Sequence, residues 1–268
     1  MRVPHAFNSS RVQMLAGLSC MILALLATPA RAELTDEIQV YTDDINKPGD
    51  VHLELHLNTT PQGRTQPDYA GEITPNHGTR ITPEFSYGLT PTLEGGFYIP
   101  GNLQSDGHYA VAGAKLRLKW LPLQPQDHAG WFAGENIELS DLARGYAEPR
   151  WTMELRGISG YHGGDWLIAF NPILGFDLSP IGDRSHPDFN IGLKLARRVA
   201  DGVAVGPEYY SDFGRLGQIG PWGQQKNTVF LVTDIDRGPL PFQFGVGRGV
   251  SPGADRWTIK AIIEFAFN

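Results

Sequence analysis

The stretch Tyr109–Trp120 carries Lys115, Arg117 and Lys119 at every second position, with Leu116, Leu118 and Trp120 between and after them. In an extended chain alternate side chains point to opposite faces, so the three cations share one side. Their chemistry would be electrostatic, holding carboxylates or steering a charged solute. Carboxylates of matching parity stand in other alternating stretches: Glu54, Glu84, Glu94 and Glu264, with a further cation at Arg156. These eight positions are the expected charged lining and constriction of a lumen, either as structural ion pairs that fill the barrel or as a charged path that selects a small polar or anionic solute. The whole expected inward set adds Glu138, Glu154, Glu208 and Asp234, and Arg80, Lys194, Arg198 and Lys260. Eight acids then face eight bases, a balance that a narrow low-dielectric lumen requires because unpaired charges there cost several kcal/mol.

Other reactive residues are placed less well for chemistry. His52 and His56 share a face but are ~13 Å apart along an extended strand, too far for that pair alone to chelate one metal. Ser185-His186 are adjacent in a Pro-rich stretch and His162 precedes two glycines; neither spacing implies a nucleophile, base and orienting group. Asp234 and Asp236 sit at a strand end, where solvent is the expected partner. No enzymatic site and no cofactor are expected. Cys20, the single cysteine, lies in the leader with Gly17 where a lipoprotein signal has leucine, so the mature chain has no thiol.

The elements that would hold these residues are strands. Val51–Asn58 alternates Val51, Leu53, Leu55 and Leu57 against His52, Glu54, His56 and Asn58. Trp257–Phe267 sets Trp257, Ile259, Ala261, Ile263, Phe265 and Phe267 against Thr258, Lys260, Ile262, Glu264 and Ala266. A greasy face ending in aromatics and backed by charge suits a wall between lipid and water. Three cations on a lipid face would cost ~2–4 kcal/mol each near the midplane, so they must face the lumen or the interface. Similar stretches follow at 80–87, 93–99, 109–120, 131–139, 151–159, 165–178, 189–198, 203–212, 227–236 and 240–248, twelve strands in all from Val51. Glu135 breaks parity in 131–139, which predicts a bulge or register shift there. Short turns alternate with longer loops, the arrangement of short periplasmic turns and extracellular loops. About ten residues at ~3.4 Å rise and ~40° tilt span roughly 26 Å, matching the apolar band. Trp120, Trp131, Trp166, Phe265 and Phe267 would fall at the short-turn end, and Trp151, Tyr209 and Trp257 at the loop end.

The run Pro83–Phe97, with its Gly88-Leu-Thr90 turn flanked by Glu84, Glu94 and aromatics, resembles a hairpin of a broad family of outer-membrane β-barrels. That family is porin-like and named for phenol-degradation clusters ("MetA-pathway" type). Gly113–Leu121, Gly247–Ser251 and Asp255–Trp257 are similar to it too, and the last strand resembles the strand by which the barrel-assembly machinery recognises its clients, with Asn268 a departure. The resemblance implies an architecture and a transport role, and no catalytic residues.

Arg2 and Arg11 precede the apolar run 14–26, and Ala30-Arg31-Ala32 offers a cleavage site, so residues 1–32 read as a signal peptide. Residues 33–50, stopped early by Asp43, Asp44 and Lys47-Pro48-Gly49, read as a periplasmic segment before the wall, and 51–268 as the barrel. Removing the leader's three arginines from 22 Lys+Arg leaves 19 against 29 Asp+Glu, a formal charge of −10, which disfavours nucleic acid as a partner. The expectation is an all-β, antiparallel transmembrane barrel of about twelve strands in the outer membrane. Its partners are the lipid bilayer and a small solute, which it passes through a narrow charged lumen. The alternatives are a barrel enzyme acting on lipid and a soluble exported β protein; fractionation and bilayer conductance separate them.

Overall fold

Alternation along the strands decides the architecture, because each face can be satisfied only by its own solvent. The computed structural model describes residues 37–125, 129–180, 185–238 and 240–267; the expected signal peptide and Asn268 lie outside them. The strands are β1 (Val51–Gln62), β2 (Thr79–Thr90), β3 (Leu93–Tyr98), β4 (Gly101–Leu103), β5 (Tyr109–Val111), β6 (Gly113–Leu123), β7 (Gly130–Leu142), β8 (Trp151–Gly163), β9 (Trp166–Asp177), β10 (Asp188–Ala200), β11 (Val203–Arg215), β12 (Lys226–Ile235), β13 (Phe242–Gly249) and β14 (Trp257–Phe267). Each pairs antiparallel with its neighbours, and β1 joins both β2 and β14, closing the sheet. β2 pairs with both β3 and β4, while β3 meets β6 and β4 meets β5. The fourteen pieces are therefore twelve staves, two of them interrupted. Pro100, which has no N–H to give, marks one interruption, and its carbonyl still accepts from Ala112. The connection between the expected strands 93–99 and 109–120 is accordingly shorter, a hairpin tip at 104–108 beyond the added strand pair.

Among the described residues, closure pairs every long strand on both sides, as lipid requires, and leaves only the three-residue β5 at the loop end with a single neighbour, β4. The outer face is apolar and open to the surroundings: Leu116 is 57%, Ile168 52%, Leu231 65% and Trp131 68% exposed. Trp120, Trp131, Trp166 and Phe267 ring the short-turn end; Trp151 and Trp257 stand at the loop end. Arg197 stacks over Trp166 and Arg248 over Trp257, 5.5 and 4.9 Å from the ring centres, so each girdle pairs an aromatic with a cation suited to headgroup depth. The expected irregularity opposite Glu135 is present: the β6–β7 register shifts between Trp120 and Leu123, and Leu121 turns inward and is fully buried.

Residues 37–50, which the sequence sets apart as a periplasmic segment, are instead packed inside the barrel. Ile38, Val40 and Tyr41 are all buried, and Val40 and Tyr41 form a core cluster with Leu121, Phe132, Ile158 and Ala169 of the wall. The backbone of the segment has no adjacent strand over most of its length, so wall side chains must satisfy it. Asn171 does so twice at Tyr41, accepting from its N–H at 2.6 Å and donating to its carbonyl at 3.0 Å. Arg156 Nη1 donates to the Gln39 carbonyl and Lys260 Nζ to that of Ile38. Near the turn end Pro48 bridges to Gly88, and Gly49 N–H donates to the Gly88 carbonyl at 2.9 Å. A Cβ on Gly88 would sit 2.1 Å from the Lys47 carbonyl oxygen, so only glycine lets the segment lie this close.

Candidate functional site

The site is the barrel interior where the segment meets the wall. Strands β1, β2, β3 and β6 present Glu54, His56, Glu84, Ser86, Glu94, Arg117 and Lys119 inward, as their alternation requires. The β3–β6 register places Gly96 opposite Arg117, and a Cβ there would meet the Arg117 side chain at 2.7 Å. The missing side chain makes room for the guanidinium to cross β3. Arg117 Nε donates to Glu84 Oε1 at 2.6 Å and Nη2 to Glu94 Oε1 at 2.7 Å. Lys119 Nζ reaches the same Glu94 oxygen at 3.1 Å, and His56 Nε2 lies 3.1 Å from Glu84 Oε2.

The segment is tied into this network. Asn46 N–H donates to Glu94 Oε2 at 2.7 Å, and its side-chain amide to Ser86 Oγ at 2.8 Å. The Tyr41 hydroxyl is 3.0 Å from that of Tyr98. The Tyr41 ring has Arg156, Lys119 and Arg117 at 4.5, 5.5 and 5.9 Å from its centre. Three wall cations thus surround one tyrosine of the segment, an arrangement favoured where water is excluded.

Five of the eight expected constriction residues come together here: Glu54, Glu84, Glu94, Arg117 and Lys119. Arg156 is close by, bonded to Glu154 at 2.8 Å and stacked on Tyr41. Lys115 lies nearer the loop end and bonds Glu138 at 2.9 Å. Glu264 stands at the turn-end rim with His52 Nδ1 at 2.6 Å, its side chain 37% exposed. A second inward cluster joins Lys260, Glu208, Lys194 and Asp234. Lys194 is 3.2 Å from Glu208 and 2.8 Å from Asp234, and Lys260 contacts Glu208 and the Tyr210 hydroxyl. Ser185 Oγ and His186 Nδ1 are 2.9 Å apart in the β9–β10 loop.

Tyr41, Asn46 and Asn171 carry much of the contact between segment and wall and were not picked out from sequence. The available signal was the short alternation of Ile38, Val40 and Thr42 beside four acids, together with the wall glycines that leave space. Above the segment, toward the loops, lies a cavity of about 250 Å³. Its lining includes Glu37 and Gln39 of the segment, and carries eight carboxylates against five cations. Over it, Arg64 in the β1–β2 loop holds Asp68 at 2.8 Å and Glu72 at 3.0 Å, and Lys226 contacts Asp68.

No protein-family model and no curated protein matches the chain. Its fold is similar to that of an outer membrane channel from Pseudomonas putida F1, with a TM-score of 0.59 at 14% identity over 86% of this chain and 100% of that one. It is also similar to the KdgM porin in complex with disordered oligogalacturonate, with a TM-score of 0.54 at 6% identity over 81% and 99%. At such identities the likeness is one of fold alone: a closed twelve-stranded antiparallel barrel.

Proposed function

We propose that the protein is a gated outer-membrane channel for small polar solutes, with residues 37–50 as the gate and the Arg117 cluster as its latch. The observation that carries this reading is the segment itself. It crosses the lumen held by side-chain hydrogen bonds and ring contacts rather than by a continuous strand ladder, so it can leave without opening the wall. The barrel wall is closed by backbone pairing between its own strands and keeps that pairing when the segment moves. The barrel-type neighbours and the resemblance of the Pro83–Phe97 hairpin to porin-like barrels fit the same role. Insertion through the barrel-assembly machinery, with Trp257–Phe267 as its recognised strand, belongs to this reading.

The cavity on the loop side would receive the solute first. With eight carboxylates against five cations around it, it favours neutral or positively charged polar solutes over anions, because like charge in a narrow low-dielectric space is repelled. The test is planar-bilayer conductance of the refolded mature barrel with and without residues 37–46. The shortened protein should conduct continuously where the full chain is mostly closed, with a reversal potential favouring cations. Equal conductance of the two would remove the gate, and anion selectivity would remove the solute class.

A further inference from the structure

The β2–β1–β14 register aligns three acids across the wall: Glu84 opposite Glu54, and Glu54 opposite Glu264. Like charges directly opposite one another are destabilising, so this row needs cations. Glu264 has His52. On the inner side, Glu84 and Glu94 share two permanently charged partners, Arg117 and Lys119, while the ion pair described for Glu54 is with a histidine at 3.6 Å. That histidine is His56. We propose that Glu54, His56 and Glu84 form a binding site for a divalent transition-metal ion of the zinc class, with one coordination position left open.

The geometry is that of a metal vertex. His56 Nε2 lies 3.1 Å from Glu84 Oε2 and 3.6 Å from Glu54 Oε2, and the three ligand atoms all fall within 4.8 Å of one another. Bonds of about 2.1 Å in a tetrahedron give ligand-to-ligand edges of about 3.4 Å, so two edges already bracket the required length. The third edge, between the two carboxylate oxygens, lies within 4.8 Å. Glu84 is also oriented from behind, as metal-binding carboxylates are. Arg117 takes Glu84 Oε1 and leaves Oε2 toward the histidine, whereas Gln39 Nε2 donates at 3.3 Å to Glu54 Oε2, the oxygen that also faces His56, and would give way to the metal there. One nitrogen and two carboxylate oxygens suit zinc, iron or manganese better than calcium, which takes six to eight oxygens.

An imidazolium would supply positive charge too, but it must donate from both nitrogens. His56 is fully buried, and its Nδ1 has no hydrogen-bond partner. A charged donor left unmatched in the interior costs more than a neutral one. A metal at Nε2 keeps the ring neutral and puts the charge between the carboxylates. Glu54, whose side chain is 24% exposed, is the way in. The pair His52 and His56 has no part in this site as a chelate, since His52 belongs to Glu264 at the rim.

Calorimetric titration of the refolded mature barrel in detergent with zinc chloride tests the proposal, with heat-modifiable gel mobility as the check on folding and calcium chloride as the hard-ion control. One saturable zinc site is expected. His56→Asn and Glu54→Gln should each weaken it at least tenfold, and His162→Asn, whose ring faces Asp43 at 2.7 Å, should leave it unchanged. If His56→Asn does not fold, the partly exposed Glu54→Gln carries the comparison. Absence of a saturable site, equal affinity in Glu54→Gln, or equal binding of calcium overturns the assignment. None of these readouts depends on conduction, so the gate can fail while the metal site stands.

Discussion

Arg117→Met is the most informative single change. The arginine side chain is 2% exposed and touches both Glu84 and Glu94, each also 2% exposed at the side chain. Methionine keeps the stem and removes the charge. Glu94 retains Lys119 at 3.1 Å and the Asn46 N–H at 2.7 Å. Among the described residues, Glu84 keeps His56 at 3.1 Å as its ion-pair partner. Removing one partner of a buried ion pair costs about 3–5 kcal/mol because the other charge is left behind. The retained partners of Glu94 place the expected loss near the lower end, about 3 kcal/mol. Neutralising the stranded acid should restore most of it, so Arg117→Met with Glu84→Gln is expected within about 1 kcal/mol of the parent protein, as paired removal of buried partners often is. Urea unfolding in detergent, followed by heat-modifiable mobility, measures both. In a bilayer the single variant should also conduct more often, because Tyr41 and Asn46 lose part of their hold. A loss below about 1 kcal/mol, or a double variant as weak as the single one, would mean that Arg117 is not the centre of the latch.

Gly88→Val should displace the turn end of the segment, since its Cβ would fall 2.1 Å from the Lys47 carbonyl oxygen; more frequent opening in a folded barrel is expected, and unchanged conductance would show that this contact does not hold the gate. Leu231→Arg, at an outward position 65% exposed, should lose about 2–4 kcal/mol of membrane stability, while Gln243→Lys, inward and beside Asp234 at 2.6 Å, should insert normally; equal folding yields in lipid vesicles would refute the assignment of faces.

Much of the wall was legible because lipid and lumen impose opposite demands on alternate residues. Lys115, Arg117 and Lys119 could face only the lumen or the interface, and a parity break at Glu135 had to be absorbed nearby. It was absorbed in the partner strand, where Leu121 turns in. The segment 37–50 was misplaced for an equally physical reason. Ile38, Val40 and Thr42 alternate as a strand edge would, but periodicity says only that a chain is extended. It does not say whether the partners of its backbone are another strand or side chains such as Asn171, Arg156 and Lys260.

The pairing of charges was hidden for a different reason, since it depends on register, which side-chain type does not reveal. Eight acids and eight bases can combine in many ways. Glu84, Glu54 and Glu264 form one row only because β2, β1 and β14 align residue by residue. Once they do, the histidines two residues to either side of Glu54 acquire distinct tasks. His52 lies toward the turn end and takes Glu264, while His56 lies deeper and faces Glu84. Their separation along β1, which speaks against a shared metal, is what lets each serve a different carboxylate of the same row. Shifting β1 by two residues would preserve every inward and outward face yet move Glu54 out of that row, with His52 or His56 in its place. The faces therefore follow from the alternation of residue types, whereas the proposed latch and the proposed metal site depend on this register.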